Sequence, residues 1–284
     1  FNSWNADKMS KEIWKQCGIT EATTTRPFDE YTEMSGMGLA ARQNEFQNAV
    51  SDVVKQGYDY RINQFIYGIN MAVSQMALMS KDLKKAIASS KAVAESLYNT
   101  REILHADVFA NAFSSTVGLL PDGQPMCTAA GKLVRGGTMD NLLDGVSFVE
   151  SGVEAGFIRA HKMPGGHGIP VGVSVQGVVI PPEYEFDAIR LFKSQQQSGT
   201  ANNAINALRE KAGASFKVTV NRFLASASNW FLETDAELGV LSLVMQEARV
   251  EEVGLTPQKA VLFYGSEIRG IGVVNRRKFI GSDI

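Results

Sequence analysis

Apolar residues change their spacing along the chain several times, and each change predicts an element. Over 38–56, Leu39, Phe46, Val50, Val53 and Val54 fall at helical spacing and Gly57 is a suitable stop, which predicts a helix. From Tyr58 the period shortens: Tyr58, Tyr60 and Ile62, then Ile69, Met71 and Val73, alternate with other residues, predicting strands or a hairpin across Gly68. Ser80 suits a helix N-cap, with Asp82 in the first turn, and no proline or glycine follows until after Phe113. Leu83, Ile87, Ala94, Leu97, Leu104, Val108 and Ala112 then line one face. At ~1.5 Å per residue this predicts one helix about 50 Å long, favoured over two helices broken at Asn99-Thr100.

Beyond it the texture is different. Residues 118–182 alternate glycines with short apolar stretches and polar turns, among them Asp122-Gly123, Gly136-Gly137 and Pro164-Gly165-Gly166. Val178-Val179-Ile180 reads as a buried strand ended by Pro181-Pro182, followed by a helix from Glu183 to about Gln195 and a loop over 198–203. Strands are predicted at Phe216, Val218 and Val220, at Trp230-Phe231-Leu232, and over 241–250, 260–264 and 268–274. Residues 1–35 are polar, with Thr23-Thr24-Thr25-Arg26-Pro27 extended, as in an unanchored arm that lies on something else. The result is an α+β chain with antiparallel ends.

Composition narrows the function. Lys plus Arg number 28 against 30 Asp plus Glu, a formal charge of −2, which disfavours a sequence-specific nucleic-acid binder. Cys17 and Cys127 form no ligand-spaced pair, so a reducing compartment is the simpler expectation. No run approaches the ~20 apolar residues of a membrane helix. The opening Phe1-Asn2-Ser3-Trp4 has neither a basic nor an apolar signal region, and no initiator methionine, so an upstream segment is either omitted or cut off.

Candidate chemistry is sparse. His161-Lys162-Met163-Pro164-Gly165-Gly166-His167 places two histidines around a turn, with no familiar ligand spacing and no cysteine or carboxylate cluster nearby; His105 is the third. Ser174 misses the nucleophile-elbow spacing by one residue. Gly36-Met37-Gly38-Leu39-Ala40-Ala41 approximates a dinucleotide loop without the buried strand that should precede it. Glu247, Glu251 and Glu252 around Arg249 read as a solvated face. Nothing assembles a nucleophile, a base and an oxyanion donor. A well-patterned chain with a girder helix and no catalytic set suits self-association.

Ordered blocks over about 130 residues resemble the major capsid proteins of tailed bacteriophages with the Hong Kong 97 fold. They are Thr100-Arg101-Glu102 with 106–113; Asp122-Gly123-Gln124-Pro125-Met126; Asp140-Asn141-Leu142-Leu143; 178–188; Gly199 to Asn203 with Asn206; and Val218, Val220, Leu224 and Trp230-Phe231-Leu232. Thr128-Ala129-Ala130-Gly131 stands where many relatives carry a histidine, and residues 1–60 match by order of elements only. The resemblance implies an N-terminal arm (1–30), an extended E-loop hairpin (31–68), a peripheral domain with a long spine helix (69–117 and 245–284) and an axial domain (118–244).

It implies a shell subunit that assembles into pentamers and hexamers around double-stranded DNA, without enzymatic activity, cofactor, metal or membrane. Inter-subunit contacts are expected from Lys55, Tyr58, Tyr60, Arg61, Phe65 and Tyr67. Implied partners are other copies, a portal, a scaffolding protein, a head-maturation protease and DNA contacted without sequence specificity. The place implied is the virion capsid, assembled in the host cytoplasm. Some relatives cross-link a lysine to an asparagine; Lys55 is the one lysine between Lys15 and Lys81, and a plain solvated lysine is the simpler expectation. An encapsulin-like cargo compartment is the alternative, and a metal- or serine-dependent hydrolase using His161, His167 or Ser174 stands further off.

Overall fold

The computed structural model describes residues 12–46, 48–49, 51–74, 76, 83–195, 205–255 and 260–284. Two sheets organise the chain. The first has four strands in the order β1 (Ile19–Thr23), β11 (Val240–Leu255), β12 (Ala260–Val273) and β4 (Phe65–Ser74). Strands β11 and β12 form the long antiparallel pair, β1 joins β11 in parallel, and β4 is antiparallel to β12. The second has five strands, β7 (Leu142–Asp144), β13 (Phe279–Asp283), β10 (Trp230–Thr234), β8 (Val175–Ile180) and β9 (Lys217–Val220), with parallel pairs at both edges.

Helix α1 (Leu83–Ala110) runs unbroken through Asn99-Thr100 for 28 residues, about 42 Å at ~1.5 Å per residue. The Ser80 cap and Asp82 lie outside the described residues, as do Val50 and the 199–203 block. The buried stripe of α1 contains Val93, Ala94, Leu97, Ala106 and Phe109, but also Arg101, Glu102 and His105. Leu104 and Val108, expected on that face, are only half-buried. The helix packs on β12, β4 and β11.

Against the second sheet lie α2 (Glu150–Lys162), α3 (Glu185–Lys193) and α4 (Ala207–Ala212), whose apolar residues meet Trp230, Leu232 and Ile180 in one core. A second core gathers Trp14, Phe109, Phe231 and Phe279 beneath the end of α1, with the Phe109 ring 5.0 Å from Phe231 and 5.1 Å from Phe279. Buried Asn141 ties three stretches together: its amide bonds Met126 O at 3.0 Å and Phe279 O at 2.9 Å, and its oxygen accepts from Thr128 N at 2.8 Å.

The structure departs from the sequence reading in several places. No helix forms over 38–56: among the described residues, 35–55 contains neither helix nor strand, and its apolar side chains are exposed. An apolar stripe stabilises a helix by packing, and among the described residues none covers this one. The alternating segments do not pair with each other either. Strand β3 (Gln56–Asn63) pairs antiparallel with β2 (Phe28–Met34), while β4 pairs with β12, so the chain changes sheets at Gln64.

The N-terminal stretch is not unanchored. Trp14 and Cys17 are completely buried, β1 extends the first sheet, and Gln16 O accepts from Thr219 Oγ1 at 2.9 Å in the second. Residues 12–23 therefore staple the two sheets. Finally, α2 and β13 occupy stretches where no element was expected. Gly152 and Gly156 disguise α2, and they are there for close approach: a Cβ on Gly156 would lie 2.3 Å from Leu232 Cδ1.

Candidate assembly surface

Strands β2 and β3 pair over 28–34 and 56–63, and the intervening 35–55 projects as an excursion. A stretch of that length with no element of its own is unusual in a packed domain and points to a functional loop. Its apolar side chains face outward: Phe46 is fully exposed, Leu39 83% exposed, and Met37, Val53 and Val54 are exposed too. Separately, edge strand β4 exposes Phe65, Ile66, Ile69 and Met71 and has no charged residue from Phe65 to Ser74. Scattered apolar residues are ordinary on a surface, whereas a concentration on one loop and one sheet edge marks an interaction site.

The root of the excursion is tied. Ser35 N donates to Lys55 O and Lys55 N to Ser35 Oγ, each at 3.0 Å. Three residues further out, Gly38 N donates to Asp52 Oδ2 at 2.7 Å. Arg135 reaches the same place from the turn between β5 (Gly131–Lys132) and β6 (Thr138–Met139), with Nη1 on Asp52 Oδ1 at 2.9 Å, Nε on Ser35 Oγ at 3.3 Å and Nη2 on Val53 O. The Gly38 N–H, and then Arg135, hold the Asp52 carboxyl well below its usual range, at about 2.

The six residues expected at subunit contacts separate into two groups. Lys55, Arg61 and Phe65 are exposed, and Tyr58 and Tyr67 are half-buried. Arg61 stacks on the Phe28 ring 3.8 Å from its centroid. Tyr60 is 7% exposed and belongs to the core of its own subunit, where burial pushes its hydroxyl up to about 12.

The histidines do not converge on Ser174. His161 is exposed on α2, His167 Nε2 lies 2.6 Å from Gly36 O, and the Ser174 N–H donates to Asp235 Oδ1 at 2.9 Å. Among the described residues no three His, Cys, Asp or Glu side chains gather as metal ligands.

His105 is fully buried. Nδ1 lies 2.6 Å from Arg101 O, which can only accept, so Nδ1 carries the proton; Nε2 then accepts from Ser242 Oγ at 2.9 Å. Around it Arg101 holds Glu12 at 2.5 Å and Glu267 at 2.6 Å, while Glu102 accepts from Ile13 N at 2.9 Å and Trp14 N at 3.3 Å. This charged cluster, which the sequence reading missed, seats the N-terminal staple on α1.

The family described as Phage capsid protein matches residues 59–280. No curated protein matches the chain. Similar solved structures include a virus-like particle from Pyrococcus furiosus, at 13% identity and TM-score 0.56, covering 99% of this chain and 96% of that one. The capsid of the cyanophage P-SCSP1u gives 12% identity and TM-score 0.57, covering 93% and 86%; that of Ralstonia phage GP4 gives 13% and 0.56 over the same shares. At such identities the likeness establishes the fold.

Proposed function

The chain belongs to the phage capsid protein family and is a major capsid shell protein of the Hong Kong 97-like fold, and on that premise we propose that its 35–55 excursion is the arm that joins copies into the shell. The observation behind this reading is that the two most exposed large apolar side chains among the described residues, Phe46 and Leu39, sit together on this loop. Burying ~25 cal/mol per Å² of apolar surface at many small contacts favours closed assemblies of many copies.

Pentamers and hexamers follow from that reading, with Lys55, Tyr58, Arg61, Phe65 and Tyr67 as further contacts beside the excursion and the β4 edge. The N-terminal arm would span 1–30, the E-loop 31–68, the peripheral domain 69–117 and 245–284, and the axial domain 118–244, except that β1 anchors part of the arm in the four-stranded sheet and β13 joins the five-stranded one. Helix α1 packed on the four-stranded sheet would form the body that carries these contacts. A net charge of −2 suits a wall that confines DNA without gripping it. A portal, a scaffolding protein and a maturation protease complete the proposed partners, assembly takes place in the host cytoplasm, and the subunit performs no catalysis.

The test is light scattering on the purified chain and on a variant with 39–51 replaced by a short Gly-Ser linker. Particles of many copies are expected from the first and dispersed subunits from the second. Equal assembly by both would refute the assigned role of the excursion.

A further inference from the structure

Two glycine-rich turns that the shell reading does not by itself employ converge on one spot. Gly136 and Gly137, both at φ +93°, follow Arg135 in the turn between β5 and β6, while Gly165, Gly166 and Gly168 flank His167. The turns are tied to each other, Arg135 N donating to Gly166 O at 3.3 Å. Both are pressed against the root of the excursion: a Cβ on Gly166 would lie 2.7 Å from Ser35 O, so only glycine lets the backbones meet there.

The polar groups grip both chains of the excursion at once. The Arg135 guanidinium spends three nitrogens, one on Ser35 of the outgoing chain and two on Asp52 and Val53 of the returning chain. His167 takes the next carbonyl outward, Gly36 O, where the chain turns through φ +69°. Ser35 is buried and Arg135 and His167 are largely shielded, whereas Leu39 and Phe46 beyond them are open to solvent. The excursion is thus held at its root, and Leu39 and Phe46 lie exposed beyond that root.

We propose that Arg135 and His167 are positioning residues for assembly, a socket that fixes the direction in which the 35–55 excursion leaves its own subunit. The inference rests on the excursion being the assembly arm. A planar, three-pronged donor suits this task, because one point charge would leave the two chains free to pivot. An arm ordered before it meets its neighbour loses less conformational freedom on association, so the socket lowers the concentration at which shells form.

The experiment compares wild type with Arg135→Ala and Arg135→Lys. Three quantities are read: thermal midpoint, the rate of proteolytic nicking within 36–54 in dispersed subunits, and the lowest concentration giving particles by light scattering. Arg135→Ala is expected to keep the midpoint within about 4 °C, as for a site outside the core, and to raise both the nicking rate and the threshold concentration about tenfold. Arg135→Lys, which keeps one bond to Asp52, is expected in between. Unchanged nicking overturns the socket, whether or not shells form, and so does a threshold unchanged in the presence of faster nicking. A large fall in midpoint that accounts for both changes makes Arg135 merely structural and likewise overturns it. If the wild-type chain makes no particles even when co-expressed with a scaffolding protein, the arm reading fails separately, and nicking alone decides whether the socket holds the excursion.

Discussion

The indole of Trp14 lies flat on the imidazole of His105, ring centroids 4.0 Å apart and planes within 15°. Trp14 is on the N-terminal staple and His105 in the C-terminal half of the buried stripe of α1, so this contact fastens the first described residues to the long helix. The Arg269 guanidinium lies 5.3 Å from the Trp14 ring centroid and donates to Ser242 Oγ at 2.7 Å, the hydroxyl that also bonds His105.

Burial, reinforced by the charges of Arg269 and Arg101, pushes the His105 pKa down to about 3 from an ordinary 6.5. The folded form therefore binds the proton less readily than the unfolded one. The stability this represents is present above pH 6.5 and is lost as pH falls from there towards 3, at ~1.4 kcal/mol per pH unit. His105→Gln can still hydrogen-bond and cannot charge, so its thermal midpoint should fall less steeply over that range. Parallel curves for the two proteins would contradict the assignment.

Trp14→Ala should cost ~3–5 kcal/mol in urea denaturation, the usual range for an aromatic side chain removed from a core. A loss below about 1 kcal/mol would mean that the staple contributes little.

Arg101 is the cation shared by two buried carboxylates. Arg101→Met takes it from both Glu12 and Glu267, and a cost of ~3–5 kcal/mol is expected by the same measurement. Replacing Glu267 by Leu in that background should cost much less than it does alone, because the Arg101 partner it would lose is already gone.

At Gly156 two effects oppose each other. Alanine is the better helix former by up to ~1 kcal/mol, but its Cβ would collide with Leu232. Overpacking of this kind costs ~1–3 kcal/mol, so Gly156→Ala should lower the thermal midpoint. A rise would show that α2 can shift away from the sheet.

Phe46 separates folding from assembly. Its ring touches nothing in its own subunit's core, so Phe46→Ser should change stability by less than ~0.5 kcal/mol while reducing particle yield in light scattering. Loss of both together would place the ring in the fold.

What could be read from the sequence follows from how local each signal is. Helix α1 was legible because nothing breaks it, and β8 and β10 because contiguous apolar runs such as Val178-Val179-Ile180 suit strands buried on both faces. Helix α2 was not, since the glycines needed for its approach to Leu232 resemble a loop. The excursion misled for the opposite reason. Leu39, Phe46, Val53 and Val54 have helical spacing, yet among the described residues none covers them, and the spacing stabilises no helix. The His105 cluster and the Arg135 socket join residues far apart in sequence, Arg135 to Asp52 across 83 positions, and no local pattern announces them.

Electron microscopy of particles formed by the purified chain tests the central claim most directly. Closed shells built of five- and six-membered rings, with the 35–55 excursion of each subunit lying on a neighbouring copy, are the expected result. Subunits that stay dispersed at every concentration and salt, and also when co-expressed with a scaffolding protein, would contradict it.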